Sequence, residues 1–238
     1  HISKRIVAAK IQNYRNVLRR CIRDYGENEN INIAVKGMDV DKRYALKSPD
    51  KSVLRGLEGD AANKYFSVFN NLILSNKEFV FSGRNRRPPK DSINAMLSFV
   101  YTLLANECAA ALETVGLDPY IGFMHTLRPG RQSLALDIME EFRAYLGDRL
   151  VLTLINRKQV TQKDFVKQGD ESVLMTENCR NLIIKSWQAR KKEEIMHPYL
   201  KEKIPIGLLP YAQAMLLARY LREDLDDYLS FLKDTYQV

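Results

Sequence analysis

The sequence has few of the residues that build disulfide or zinc sites, and it lacks the long apolar run of a membrane span. Its three cysteines, Cys21, Cys108 and Cys179, are far apart and form no Cys-x-x-Cys pair, which argues against a disulfide framework or a zinc site. Unpaired thiols are typical of the reducing cytoplasm. We find no apolar stretch approaching the roughly 20 residues that cross a bilayer. The chain begins with His rather than Met and shows no signal peptide, so we expect its true start to lie upstream.

The composition is that of a folded protein with an excess of positive charge. Hydrophobic residues make up 45% and charged residues 28% of the 238 residues, which argues against general disorder. The formal net charge is +8 and the sequence pI is about 9.3. Such an excess indicates a polyanionic partner, either nucleic acid or an acidic membrane surface.

Helical periodicity dominates the chain and predicts a mainly α fold. We expect the fourth helix to be capped by Asp91 and to stop at Gly116. The Pro88–Pro89 pair predicts that the basic stretch 79–90 is extended. Short strands are expected only within 150–176, with a hairpin turn at Gly169–Asp170. The predicted helices span 3–23, about 49–57, 60–74, 91–116, 133–146, about 177–195 and 210–232, with loops from Gly26 and at 120–131.

The predicted helix 133–146 carries three acidic residues, Asp137, Glu140 and Glu141, opposite its apolar face. One interpretation is an ordinary solvated face of an amphipathic helix. The other is a platform for a divalent cation, because Mg²⁺ and Mn²⁺ favour clustered oxygen ligands. A basic protein with one acidic cluster has the charge distribution expected of a metal-dependent enzyme acting on phosphodiesters.

Two further residues have both a structural and a functional interpretation. His125 follows an apolar segment and precedes the basic turn Arg128–Arg131, so it is either a satisfied, partly buried histidine or part of a phosphate-facing site. Glu58 lies among Gly and Ala residues that permit close packing. It is either a charge in the first turn of a helix or a buried ligand, and the sequence alone does not decide between them.

Basic residues are concentrated in two segments, either of which is a solvated surface or a clamp for a nucleic-acid backbone. The stretch Arg84–Lys90 carries four cations in seven residues, and Asn94 and Tyr101 follow on the next helix. The first predicted helix presents a basic face suited to phosphates or to an acidic partner. Its cations are Lys4, Arg5, Lys10, Arg15, Arg19, Arg20 and Arg23.

Three segments taken together resemble the CRISPR-associated endonuclease/integrase that inserts new spacers. They are GLEGDAA around Glu58, RNRRPPKDSINAMLSFVYTLL, and GFMHTLRPGRQSLALDIMEEFR, in the order and at roughly the separations of that family. The similarity continues through LINRKQVTQKDF and IPIGLLPYAQAMLLARYLR, and the wording is closest to the subtype I-C branch. The resemblance implies that residues 1–238 form the α-helical C-terminal catalytic domain, with a short β-hairpin-like insertion. The family's N-terminal β-rich domain is then expected to be absent from this chain.

The resemblance also implies a single Mg²⁺ or Mn²⁺ ion held by a Glu, a His and a carboxylate. Glu58 and His125 match the first two of these ligands. Glu140 matches the third as a catalytic ligand, with Asp137 supporting the site from behind, although some relatives have Asp at the ligand position. Glu141 is then expected to be an ordinary surface charge.

The activity implied is strand transfer, in which the 3′-hydroxyl of a captured duplex attacks a phosphodiester of the CRISPR array. The implied partners are double-stranded DNA, a second copy of the intact protein, and a small ferredoxin-like CRISPR protein that bridges two integrase dimers. No membrane is implied. The alternatives are a non-catalytic, basic helical module that binds nucleic acid and a general metal-dependent nuclease. The expected DNA-binding residues are Arg84, Arg86, Arg87, Asn94, Tyr101, Arg128 and Arg131.

Overall fold

The computed structural model describes residues 1–48, 50–85 and 87–233, and over these residues the protein is mainly helical, as predicted. In the described ranges there are eight α-helices and four short strands. The helices are Ile2–Tyr25 (α1), Glu29–Lys47 (α2), Lys51–Ser67 (α3), Ser92–Thr114 (α4), Ser133–Phe142 (α5), Arg149–Asn156 (α6), Glu177–Lys191 (α7) and Leu209–Leu221 (α8).

Helix α1 lies at the centre of the fold and packs against α2, α3 and α5. Its apolar residues Ile6, Ile11 and Leu18 are fully buried, as expected for a helix covered on more than one side. The ring of Tyr14 stacks on that of Tyr65 of α3 with 4.0 Å between centroids. Because aromatic rings bury large areas, this pair fixes α1 against α3.

Helix α4 confirms the predicted boundaries. The Asp91 side chain accepts a hydrogen bond from the Asn94 backbone N–H, and the chain turns at Gly116 with φ +80°. The expectation that no apolar segment is long enough to span a membrane needs correction, since Ser92–Thr114 meets the length and composition criteria. In this fold α4 packs against α5 and α8, which explains its apolar composition.

The predicted helix 133–146 continues further than expected. After α5 the chain forms one π-helical turn, Arg143–Asp148, and then runs directly into α6. Strands were therefore wrongly predicted at the start of 150–176. A π turn shifts the direction of later side chains relative to earlier ones, and such turns are frequent at functional sites.

The predicted hairpin is present, and a second one was not foreseen. Strands Phe165–Lys167 (β1) and Val173–Met175 (β2) pair antiparallel, with Val166 opposite Leu174. The Gly169–Asp170 pair lies between them, as predicted. Strands Glu194–Met196 (β3) and Lys203–Pro205 (β4) form a second antiparallel pair, with Ile195 opposite Ile204.

Three helix predictions in the rest of the chain were wrong in extent. Helix α2 occupies the predicted polar loop, and it begins where the Asn28 side chain accepts a hydrogen bond from Ile31 N. Helix α3 is continuous through Gly56 and Gly59, where a break was expected. The last helix ends at Leu221, because residues 222–233 leave the helix and lie against α1 and α5.

Candidate active site

The loop that carries His125 is fastened to α5 by the carboxylate of Asp137. Asp137 is fully buried, and its Oδ2 accepts hydrogen bonds from Phe123 N at 2.6 Å and Met124 N at 2.9 Å. Its Oδ1 accepts from His125 N at 3.0 Å and lies 2.6 Å from Nδ1 of the His125 ring. Both oxygens of Asp137 are thus engaged: Oδ2 holds the loop backbone, and Oδ1 orients the imidazole.

Gly122 allows this loop to approach α5. A Cβ atom placed on Gly122 would lie 2.8 Å from both the carbonyl carbon and the Cβ of Ser133 and 2.9 Å from Oδ2 of Asp137. Real Cβ atoms essentially never make such short contacts, so glycine is required by packing at this position. The loop is tied to α3 as well, where Arg55 donates to the carbonyl oxygen of Met124 at 2.7 Å.

Glu58 of α3 and Glu140 of α5 converge on the ammonium group of Lys10 from α1. Lys10 Nζ lies 2.6 Å from Oε2 of Glu140 and forms an ion pair with Oε1 of Glu58. On its other side Glu140 accepts two hydrogen bonds from Nη1 of Arg143, at 2.7 and 3.0 Å. Two acidic residues that lie 82 positions apart in the chain are therefore brought to one cation.

Charge governs the protonation state of Glu140. Burial opposes its ionisation, but the charges of Arg143 and Lys10, with a smaller contribution from His125, lower the pKa of Glu140 below its usual range. Burial alone would lower the pKa of Arg143, whereas the charge of Glu140 raises it. The pocket therefore holds an ionised carboxylate beside His125.

Glu58, Glu140 and His125 supply the donor types of a divalent-metal site, although their donor atoms do not converge on a single metal position. In the part of the chain that the structure describes, no three His, Cys, Asp or Glu side chains lie close enough to hold a metal ion as they stand. Two carboxylates nevertheless already bind a cation, and the Nε2 of His125 has no hydrogen-bond partner among the described residues. Carboxylate oxygens with one imidazole nitrogen suit Mg²⁺ or Mn²⁺ in ligand chemistry, and a ligating histidine typically has its other nitrogen held by a carboxylate.

The three acidic residues of α5 do not form one cluster, and none of them lies on a solvated face. Asp137 faces the His125 loop, Glu140 faces Lys10, and Glu141 faces the C-terminal segment. The expectation that Glu141 is a surface charge is wrong, because the residue is fully buried. It accepts hydrogen bonds from the Tyr228 hydroxyl, Phe231 N and Gln213 Nε2, at 2.6, 2.7 and 3.0 Å. Burial, the largest effect, outweighs these bonds and raises the pKa of Glu141 to about 7.

Two of the expected DNA-binding residues have structural roles instead. Asn94 is fully buried, and its Oδ1 accepts hydrogen bonds from Asn85 N and from Arg84 at 3.1 and 2.7 Å. Tyr101 is 5% exposed and donates its hydroxyl hydrogen to Asp148. The prediction that Asn94 and Tyr101 contact DNA directly is therefore wrong for this conformation, because both side chains are buried.

The cationic residues of the basic loops remain at or near the surface. Arg87 and Arg128 are exposed, while Arg84 and Arg131 are partly buried. The guanidinium carbon of Arg84 lies 5.3 Å from the centroid of the Tyr101 ring, so Tyr101 supports the basic stretch from beneath. Arg86, also expected to bind DNA, lies outside the described residues.

The first helix does not present a single basic face. Lys10 and Arg15 are buried, and Arg15 forms an ion pair with Asp39 at 2.8 Å. Sequence analysis did not predict that Lys10 and Arg143 pair with Glu58 and Glu140 in what we call the acidic pocket. The spacing of Glu140 and Arg143, i and i+3 on a helix, was a local signal for their pairing. Nothing in the sequence indicated that Lys10 meets Glu58.

Comparison with known proteins identifies relatives along nearly the whole chain. A family model described as CRISPR associated protein Cas1 matches residues 1–189. The chain is 49% identical to a CRISPR-associated endonuclease Cas1 of Leptospira interrogans, covering 97% of this chain and 92% of that protein. It is 47% identical to a CRISPR-associated endonuclease Cas1 of Moorella thermoacetica, covering 97% of this chain and 68% of that protein.

Solved structures show the same fold. A casposase bound to its integration product superposes with a TM-score of 0.81 at 27% identity, covering 100% of this chain and 67% of that one. The Cas1 protein TM1797 of Thermotoga maritima has a TM-score of 0.79 at 28% identity, covering 93% of this chain and 65% of that one. A chain of a Cas6-RT-Cas1–Cas2 complex has a TM-score of 0.81 at 27% identity, covering 98% of this chain and 25% of that one.

Proposed function

Since the chain belongs to the Cas1 family of CRISPR-associated endonucleases, we propose that it is a divalent-metal-dependent integrase that inserts new spacers into a CRISPR array. In the proposed reaction the 3′-hydroxyl of a captured DNA duplex attacks a phosphodiester of the array, and one phosphodiester replaces another. The observation that carries the proposal is the convergence of Glu58 and Glu140 on one cation. The similarity to a casposase whose structure contains an integration product supports strand transfer as the chemistry.

Glu58, His125 and Glu140 are the residues that would hold Mg²⁺ or Mn²⁺. A bound divalent ion supplies Lewis-acid stabilisation of the charge that develops on the attacked phosphate. Asp137 fixes the His125 ring through Nδ1, and Arg143 keeps Glu140 ionised. Each of these contacts prepares a donor group before substrate arrives, which is the usual contribution of supporting residues to a metal site.

The exposed basic loops would hold the DNA backbone. Arg84, Arg87, Arg128 and Arg131 lie in the two segments that flank α4 and the His125 loop, and guanidinium groups bind phosphates through two parallel hydrogen bonds. We include Arg86 in this group from its place in the sequence. A second copy of the protein and a small ferredoxin-like CRISPR protein complete the proposed assembly, in line with the Cas1–Cas2 complex among the structural relatives.

Strand transfer on a branched-product assay tests the proposal. With Mn²⁺, the protein should join the 3′-hydroxyl end of a short duplex to a target duplex that carries a leader–repeat junction. Glu58→Ala, His125→Ala and Glu140→Ala should each lower the rate by roughly 100-fold or more, while DNA binding largely survives. Glu113→Ala, which removes an exposed carboxylate of α4, is the matched control and should react at the wild-type rate.

The outcomes separate the proposal from its alternatives. Cleavage without any joined product would identify a general nuclease, whereas DNA binding with no effect of Mn²⁺ would identify a non-catalytic binding module. Full strand transfer by the Glu140→Ala protein would refute the assignment of Glu140 as a ligand.

A further inference from the structure

We infer that Lys10 is a resident cation of the acidic pocket and that a divalent metal ion binds only when the Lys10 ammonium is displaced. The inference rests on the proposed function, because it concerns the same pocket. Lys10 is 3% exposed as a side chain, and its ammonium contacts one carboxylate oxygen of each of the two proposed acidic ligands.

The burial of Lys10 requires the two carboxylates. An ammonium group removed from water is stable only when opposite charges and hydrogen bonds replace its hydration. Glu58 and Glu140 supply both, and the Tyr14 ring, whose centroid is 5.7 Å from Nζ, adds a cation–π contact. With Arg143 on Glu140, the charges of Lys10 and Arg143 offset those of Glu58 and Glu140.

Lys10 and a metal ion cannot occupy this pocket together. Nζ lies 2.6 Å from Oε2 of Glu140 and also contacts Oε1 of Glu58, so it stands between the two oxygens. Mg²⁺ binds its oxygen ligands at roughly 2.0–2.1 Å. An ion bridging the same two oxygens would overlap the ammonium group, and its positive charge would repel it.

The competition has a measurable consequence for metal affinity. When only a small fraction of molecules has Lys10 out of the pocket, the apparent dissociation constant for the metal is raised by the inverse of that fraction. At metal concentrations well below this apparent dissociation constant, the Lys10 ammonium group therefore stays in the pocket and the metal does not bind. Its role is that of a positioning residue, because it acts through the carboxylates rather than on DNA.

Mn²⁺ binding by a Lys10→Met protein tests the inference without any activity measurement. The electron paramagnetic resonance signal of free Mn²⁺ gives the dissociation constant by titration. We expect Lys10→Met to bind Mn²⁺ at least about tenfold more tightly than the wild type. Lys64→Met is the matched control, because Lys64 pairs with Asp41 and Asp60 on the other side of α3 and should leave Mn²⁺ affinity unchanged.

A second measurement uses the wild-type protein and does not depend on the folding of a variant. Reductive methylation of lysines followed by mass spectrometry should modify Lys10 slowly in metal-free protein and several times faster at saturating Mn²⁺. Lys64 should react at the same rate in both conditions. Unchanged labelling of Lys10 at saturating Mn²⁺ would overturn the inference, as would equal or weaker Mn²⁺ binding by Lys10→Met.

The same titrations separate failure of this inference from failure of the proposed function. If the wild-type protein binds Mn²⁺ and Glu140→Gln abolishes binding, the metal pocket stands, and Mn²⁺ binding by Lys10→Met together with the labelling of Lys10 decides the role of the lysine. If neither the wild-type nor the Lys10→Met protein binds Mn²⁺, the proposed metal pocket itself is refuted and the inference falls with it.

Discussion

The Gly122→Ala substitution tests whether close packing of the His125 loop against α5 holds the candidate site together. In a Gly122→Ala protein the new Cβ would lie 2.8 Å from two atoms of Ser133 and 2.9 Å from Oδ2 of Asp137. Ser133 is the first residue of α5, and Asp137 Oδ2 is held by two backbone N–H groups, so neither can yield cheaply. Overpacking of this kind typically costs about 1–3 kcal/mol, and the rigidity of both neighbours favours the upper end.

Thermal unfolding and hydrogen exchange together measure the effect. A loss of about 3 kcal/mol corresponds to a fall in Tm of roughly 6–12 °C for a chain of this size. Exchange of the backbone amides of Phe123, Met124 and His125 should accelerate, because these amides donate to Asp137 only when the loop lies against α5.

Gly56→Ala is the control for glycine replacement as such. Gly56 lies inside α3 with no atom within 4 Å of an added Cβ, so alanine should stabilise the protein by about 0.5–1 kcal/mol. If Gly122→Ala also leaves Tm unchanged or raises it, or if amide exchange in the loop does not change, the packing argument for the His125 loop is wrong.

Two further predictions concern pH and DNA binding. The folded-state pKa of Glu141 is raised from 4.5 to about 7, so the stability that Glu141 contributes is fully present below pH 4.5 and falls by about 3 kcal/mol between pH 4.5 and pH 7. Chemical denaturation at pH 5 and pH 8 measures this. Glu141→Gln should remove its part of the fall and leave the smaller part due to Asp148, whose pKa is raised by burial to about 6; an equally steep fall in that variant would contradict the assignment. For DNA, the Arg128→Gln/Arg131→Gln double variant should reduce the slope of log K against log salt by about two phosphate contacts. Lys185→Gln on α7 serves as its charge control, and an unchanged slope in the double variant would remove these arginines from the interface.

The sequence predicted those parts of the fold that local signals determine. The Asp91 cap, the stop at Gly116 and the Gly169–Asp170 hairpin each depend on residues within a few positions. The errors arose where tertiary packing overrides local preference. Helix α3 runs through Gly56 and Gly59 without a break, because its buried residues Leu54, Ala61 and Tyr65 pack against the core on both sides of them.

The neighbouring residues Glu140 and Glu141 show why helical spacing could not assign the site. Both are acidic, both are buried, and about 100° of helix rotation separates them. Glu140 meets Lys10 and Arg143, whereas Glu141 meets Tyr228 and the backbone of a segment some 90 positions later in the chain. The partners are determined by which distant segment covers each side of α5, and periodicity carries no information about that. The resemblance to the family assigned different roles to these two residues, but its expectation of a surface position for Glu141 was wrong.

For Lys10 the local sequence context was misleading, because it indicated a solvent-exposed position whereas the residue is buried. It lies among six other cations of α1, and a basic helix is ordinarily read as a phosphate-binding surface. Yet a lysine side chain that is 3% exposed is stable only when its ammonium group lies beside buried acids, so the burial of Lys10 and the convergence of Glu58 and Glu140 require one another. Two acids held at contact distance from one point without a cation would repel each other. The pocket can therefore keep its shape only because the chain provides a cation of its own.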